Sequence, residues 1–101
     1  MDTFERRHDM LESKIENKLK LEVEKHGGMA LKFVSQGFAG VPDRIVLMRS
    51  GKAVFVELKA PGKKMRPLQI KRKNQLEALG FKVYCIDSFK AVKEFIQEMM
   101  G

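Results

Sequence analysis

A chain of 101 residues with 20 Lys and Arg against 13 Asp and Glu carries a formal charge of +7. That length holds one domain, residues 1–101, with a single core and a shallow open site, and the basic balance points to a polyanionic partner, nucleic acid before ribosomal or membrane-surface roles. The single Cys85 excludes an internal disulfide and reads as a small buried hydrophobe in a reducing compartment, while no stretch approaches the roughly 20 apolar residues of a membrane span and Met1-Asp2-Thr3-Phe4-Glu5-Arg6-Arg7 lacks a signal core, so a soluble cytoplasmic protein is expected.

In chain order, residues 9–26 place Leu11, Ile15, Leu19 and Val23 at four-residue spacing among charges, which predicts an amphipathic helix. Asp9, three residues before Glu12, resembles a cap, and Gly27-Gly28 ends the helix. Glu12 and Glu16 stand one turn apart on one face; either leans toward the end of a sheet or forms a solvated rim with Lys18 or Lys20. Residues 29–34 predict the first strand, and Ser35-Gln36-Gly37-Phe38-Ala39-Gly40 a loop just ahead of Asp43. Within it Gly40 reads as a turn glycine or a point of close approach to a phosphodiester, and Phe38 as a core anchor, with base stacking the alternative.

Residues 45–48 and 53–58 are apolar runs flanking Arg49-Ser50-Gly51-Lys52, the pattern of an antiparallel hairpin. A turn centred between Ser50 and Gly51 sets Asp43 opposite Leu58, one position from Glu57. Both faces of the second run are apolar until Glu57, so it reads as a central strand covered on both sides, with charge only at its C-terminal end. Two readings fit that charge. One is an ion pair of Lys59 with Glu57 or Asp43 that caps the sheet. The other is a divalent-metal site in which Asp43 and Glu57 supply oxygen ligands and Lys59 stands beside a phosphate or the attacking water, and the whole constellation favours it.

Pro67 opens a helix running to Leu79, with Leu68, Leu76 and Leu79 able to face the core and Lys71, Arg72 and Lys73 outside. From Lys59 through Lys73 there are seven basic residues and no acid, so Lys63, Lys64, Arg66, Lys71, Arg72 and Lys73 read as a phosphate track. Residues 82–86 predict a fourth strand, and Asp87-Ser88 caps a closing helix with Phe89, Val92, Phe95 and Ile96 apolar. His8 and His26 have no partner at metal spacing, and there is no zinc cluster, P-loop or Ser-His elbow to compete with the acids. The elements predict an α/β domain in which a right-handed crossover makes the third and fourth strands parallel within a mixed four-stranded sheet flanked by helices.

Pro42-Asp43 followed by Glu57-Leu58-Lys59 resembles the PD-(D/E)XK nuclease signature. Gly40-Val41-Pro42-Asp43-Arg44 and Val56-Glu57-Leu58-Lys59-Ala60-Pro61-Gly62 are similar to its VRR-NUC branch, the virus-type replication and repair nucleases, over residues 12–95. The resemblance implies the order α-β-β-β-α-β-α and a catalytic set of Asp43, Glu57, Lys59, Gln69 and Glu12. A Mg²⁺ or Mn²⁺ ion would be held by Asp43, Glu57, the Leu58 carbonyl and a first-helix Glu matching Glu12, with Glu16 the less secure candidate. Gln69, at the helical Gln position of the pattern, would hold a phosphate or the nucleophilic water. Stand-alone members of this length look like dimeric enzymes that resolve four-way (Holliday) junctions. The expectation is therefore a homodimeric, metal-dependent DNA endonuclease acting on branched DNA in a bacterial or phage-infected cell, with Met10, Phe95, Met99 and Met100 as candidate dimer contacts and core packing as their alternative. The rival readings are a flap or general duplex endonuclease of the same fold, and a non-catalytic nucleic-acid-binding module that needs no cation.

Overall fold

The structure, a computed structural model, describes the backbone of residues 3–101 and the side chains of residues 11–101. Its elements are α1 (Thr3–Lys25), β1 (Met29–Lys32), β2 (Arg44–Met48), β3 (Lys52–Leu58), α2 (Pro67–Ala78), β4 (Val83–Ile86) and α3 (Phe89–Met100). This is the expected order. The first helix begins ahead of the predicted 9–26 span, so Asp9 falls inside it; the side chains of His8, Asp9 and Met10 lie outside the described residues. Its end is local chemistry. Gly27 takes φ +83°, a conformation costly for any residue with a Cβ, while the Gly27 and Gly28 N–H groups donate to the carbonyls of Glu24 and Val23 at 3.0 and 2.9 Å.

The strands form one sheet in the order β1-β2-β3-β4, with β1–β2 and β2–β3 antiparallel and β3–β4 parallel. A hairpin can connect antiparallel neighbours, whereas the parallel pair requires the crossover through α2. On one face Val46, Val54, Val56, Leu58 and Ile86 pack against Ile15, Leu19 and Val23 of α1 and Val92, Phe95, Ile96 and Met99 of α3. Leu19 and Val92 are fully buried there, so truncating Leu19 to Ala would cost about 2–5 kcal/mol. Phe95 and Met99 belong to this core, which removes them as dimer contacts, while Met100 is exposed.

The other face is thinner. Phe33, Phe55 and Phe81 form a row of ring contacts at 5.6 and 5.5 Å between centroids. Leu68 of α2 and Leu79 just past its end stay exposed instead of facing the core, because this crossover helix lies beside β4 and its one buried side chain is Gln69. Cys85 is exposed rather than buried, since β4 is the sheet's edge and α2 covers its outer positions only in part. Phe89 is likewise exposed, at the start of α3. Among the described residues no helix is long and apolar enough to cross a membrane.

The hairpin differs from its predicted register by one residue. Arg49–Gly51 forms a short 3-10 turn with Ser50 at φ 67° and Gly51 at φ 74°, so three residues, not an even number, separate the paired Met48 and Lys52. Arg44 pairs with Val56 accordingly, and the next position sets Asp43 across from Glu57 instead of Leu58. The slip matters because side chains alternate faces: the predicted register would have put the two acids on opposite sides of the sheet, and the observed one puts them on the same side.

Candidate active site

Glu57 is the residue around which the site is built. It sits near the end of β3, a strand paired on both edges, and the residue is 1% exposed. A carboxylate so buried needs donors. Gln69 Nε2 donates to Glu57 Oε2 in a short hydrogen bond, and Lys59 Nζ lies 3.4 Å from the same oxygen. Glu57 Oε1 is buried with no hydrogen-bond partner. Burial, followed by the neighbouring Asp43 carboxyl, pushes the Glu57 pKa up from 4.5 to about 7, against the opposing pull of the Lys59 ammonium.

Gln69 is oriented from its own helix end. Pro67 starts α2, and Gln69 Oε1 accepts the Arg66 N–H at 2.8 Å, which leaves only its amide nitrogen to face Glu57. A residue that composition would place on a helix surface is thus 7% exposed and clamped between a helix cap and a buried carboxylate. Asp43 is held from the other side: its Oδ2 accepts the Leu58 N–H at 2.9 Å, and its carbonyl accepts the Phe33 N–H at 2.8 Å. Both strand ends therefore converge on one point.

The two first-helix acids both line the cavity beside Asp43. Glu16 pairs with Arg44, a buried residue whose Nη1 also donates to the Ala30 carbonyl at 3.2 Å. Glu16 is thereby engaged in the ion pair that satisfies Arg44, and neither Lys18 nor Lys20 takes it; Lys18 pairs with Glu22 at 3.1 Å. Glu12 lines a cavity of about 240 Å³ together with Asp43, Glu16, Lys32 and Phe33. Among the described residues no three His, Cys, Asp or Glu side chains gather at metal-ligand spacing; Asp43 and Glu57 form a close pair, and Glu12 and Glu16 line the cavity on the Asp43 side. The sequence reading assigned Arg44 no role. Its signal was a lone charge at the head of an apolar strand, which requires a partner when buried.

The basic run divides as well. Lys63, Lys64, Arg66 and Lys71 are exposed and make no salt bridge among the described residues. Lys73 pairs with Glu77 at 2.9 Å on its own helix. Arg72 instead holds the loop: its Nε donates to the Ala39 carbonyl at 2.8 Å, and its guanidinium carbon lies 3.6 Å from the Phe38 ring centre. Phe38 is not the core anchor that its apolar character suggested, being 47% exposed.

The donor set fits a hard divalent cation. A buried carboxylate oxygen without a donor, beside a second carboxylate whose charge already raises its pKa, is unsatisfied by the protein alone and suits an oxygen-seeking ion. Acids at the open end of a hairpin, on a strand that then crosses through a helix to a parallel neighbour, are what the PD-(D/E)XK pattern implies, and they place the fold in the α/β nuclease class. The chain belongs to the VRR-NUC domain family, whose pattern matches residues 4–90, and it is a nuclease of that family. It is 52% identical over 77 residues to "Putative nuclease p44" of Acyrthosiphon pisum secondary endosymbiont phage 1, a match covering 76% of this chain and 83% of that protein. A solved VRR-NUC domain superposes with a TM-score of 0.81 at 30% identity, covering 85% of this chain and 94% of that one.

Proposed function

We propose that this nuclease is a Mg²⁺- or Mn²⁺-dependent DNA endonuclease that acts as a homodimer on branched DNA, four-way junctions foremost. The observation that carries the metal dependence is the buried Asp43–Glu57 pair with its donor-free Glu57 Oε1. Asp43 and Glu57, with the Leu58 carbonyl and Glu12, would hold the cation. When bound, such an ion neutralises non-bridging phosphate oxygens and lowers the pKa of water.

The chain's own residues supply the rest. Gln69 and Lys59 both engage Glu57 Oε2, which restrains the carboxyl and leaves Oε1 without a donor. Lys59 is 15% exposed and has three N–H donors as an ammonium, so those not on Glu57 hold a phosphate oxygen or the attacking water. Water adds to phosphorus and the 3′ oxygen departs with the electron pair of the broken P–O bond. Lys63, Lys64, Arg66 and Lys71 track the backbone without reading bases.

Resolving a junction requires two nicks related by a twofold axis, and the described domain carries one Asp43–Glu57 pair. A twofold homodimer supplies two, using about 800 Å² per partner if its interface is of standard size. Support for its location comes from Met29, Leu31 and Leu47, which are exposed on the sheet's thin face, with Met29 directly paired to Leu47 across the β1–β2 ladder. The test combines two measurements on the purified protein. Sedimentation should give twice the chain mass for wild type and the single mass for Leu47→Glu, and four-way junctions should be nicked symmetrically and faster than linear duplex in Mg²⁺ but not in EDTA. Metal-independent binding without nicking would overturn the nuclease assignment of the site; equal cutting of duplex and flaps by a monomer would overturn junction resolution.

A further inference from the structure

The loop ahead of Asp43 presents an aromatic surface. Phe38 closes a turn in which its N–H donates to the Ser35 carbonyl at 3.3 Å, and beside it Gly37 takes φ +72° with nothing near its missing side chain. One face of the Phe38 ring is covered by Arg72, whose guanidinium carbon lies 3.6 Å from the ring centre. Two further contacts orient Arg72: Nε donates to the Ala39 carbonyl at 2.8 Å and Nη1 to Gln75 Oε1 at 3.0 Å. Gly40 locks the far end of the loop: a Cβ there would stand 2.7 Å from Leu68 Cγ. Phe38 is thus an exposed aromatic whose ring is held in place before anything binds.

Its neighbours share the character. Val34 and Leu68 are also exposed, so the segments that flank Asp43 and Gln69 present three apolar side chains next to the acid-free basic run from Lys59 to Lys73. Val34 lines the same cavity as Asp43. Phosphates have no use for an apolar surface, but the faces of bases do, and Arg behind the ring increases its attraction for a stacked base. In continuous duplex each base face is covered by its neighbours. Only a branch, an end or an unpaired stretch exposes one.

We propose that the Phe38–Arg72 stack is a base platform, which takes an unstacked base next to the phosphodiester to be cut and so makes Phe38 a specificity-determining residue for branched or single-stranded DNA. The proposal rests on the endonuclease reading and adds how that site chooses its substrate. Preorganisation is the reason it works: the ring and its cationic backing are already in register, so little side-chain freedom is lost when the base arrives.

The experiment uses the full chain in EDTA, where cleavage is blocked, with junction and forked DNAs carrying 2-aminopurine at the branch point. Wild type and Phe38→Tyr should quench the probe. Phe38→Leu, which keeps an apolar side chain under Arg72 but no ring, should lose the quench, and its preference for branched over duplex DNA should fall by roughly 5- to 150-fold. A purely structural loop anchor predicts that Leu and Tyr behave alike, and that result, or an unquenched probe with wild type, would overturn the platform. Nicking by wild type in Mg²⁺ is scored separately. Its absence would refute the endonuclease reading, while a quench lost only in Phe38→Leu would still support a base platform.

Discussion

Replacing Glu57 by Gln should stabilise the metal-free protein at alkaline pH, although Glu57 is central to the site. The folded carboxyl titrates near 7 and its unfolded counterpart near the ordinary 4.5, so the folded state binds the proton more tightly. The stability tied to that proton is fully present below 4.5 and is lost as the pH rises through 7. At about 1.4 kcal/mol per pH unit, the ionised carboxylate costs the metal-free fold on the order of 3 kcal/mol at pH 8. Gln has nearly the same shape, keeps an oxygen to accept from Gln69 Nε2, and cannot ionise. It also removes the attraction to Lys59 at 3.4 Å, so the net gain is about 1–3 kcal/mol, which for a domain of this size raises Tm by roughly 5 °C or more. The assay is thermal unfolding in EDTA at pH 8 and at pH 5, repeated in millimolar Mg²⁺. The advantage of Glu57→Gln should shrink at pH 5, and Mg²⁺ should raise the Tm of wild type but not of the variant. A variant no more stable than wild type at pH 8, or an advantage that does not depend on pH, would refute the argument that a buried, only partly compensated carboxylate defines the site.

Asp43→Asn should abolish metal-dependent nicking while holding Tm at or above the wild-type value in EDTA, because it relieves repulsion with Glu57 and keeps an acceptor for the Leu58 N–H. Asp43→Ala should melt lower than Asp43→Asn by about 1–2 kcal/mol in unfolding experiments, since the 2.9 Å hydrogen bond is lost. The double change Lys63→Ala and Lys64→Ala should flatten the slope of log affinity against log salt on duplex DNA by roughly 2, read by fluorescence anisotropy, with Lys73→Ala changing it less because Glu77 already partners that ammonium. Gly40→Ala should destabilise the fold by about 1–3 kcal/mol in urea, from a positive φ of +87° and a Cβ forced against Leu68.

Much of this molecule was legible one residue at a time. The four-residue spacing of Ile15, Leu19 and Val23, the Gly-rich stops, Pro67 at a helix start and the apolar runs around residues 49–52 set the number, type and order of elements, because those signals act over a few neighbouring residues. The acids and Lys59 could be singled out too, since charge at the end of a strand apolar on both faces demands a reason. What needed the folded chain was everything decided by which groups meet. An odd-numbered turn moved the hairpin by one residue and so put Asp43 on the same face as Glu57; a turn's residue types do not reveal whether it holds two residues or three. The pairing of Arg44 with Glu16, 28 residues apart, is a contact that the helix spacing of Glu12 and Glu16 does not reveal, and both glutamates line the cavity beside Asp43. Gln69 became buried, Cys85 and Phe38 became exposed, and Arg72 came to lie over the Phe38 ring, because these contacts depend on where the crossover helix comes to rest against the sheet, a long-range outcome that composition does not encode locally.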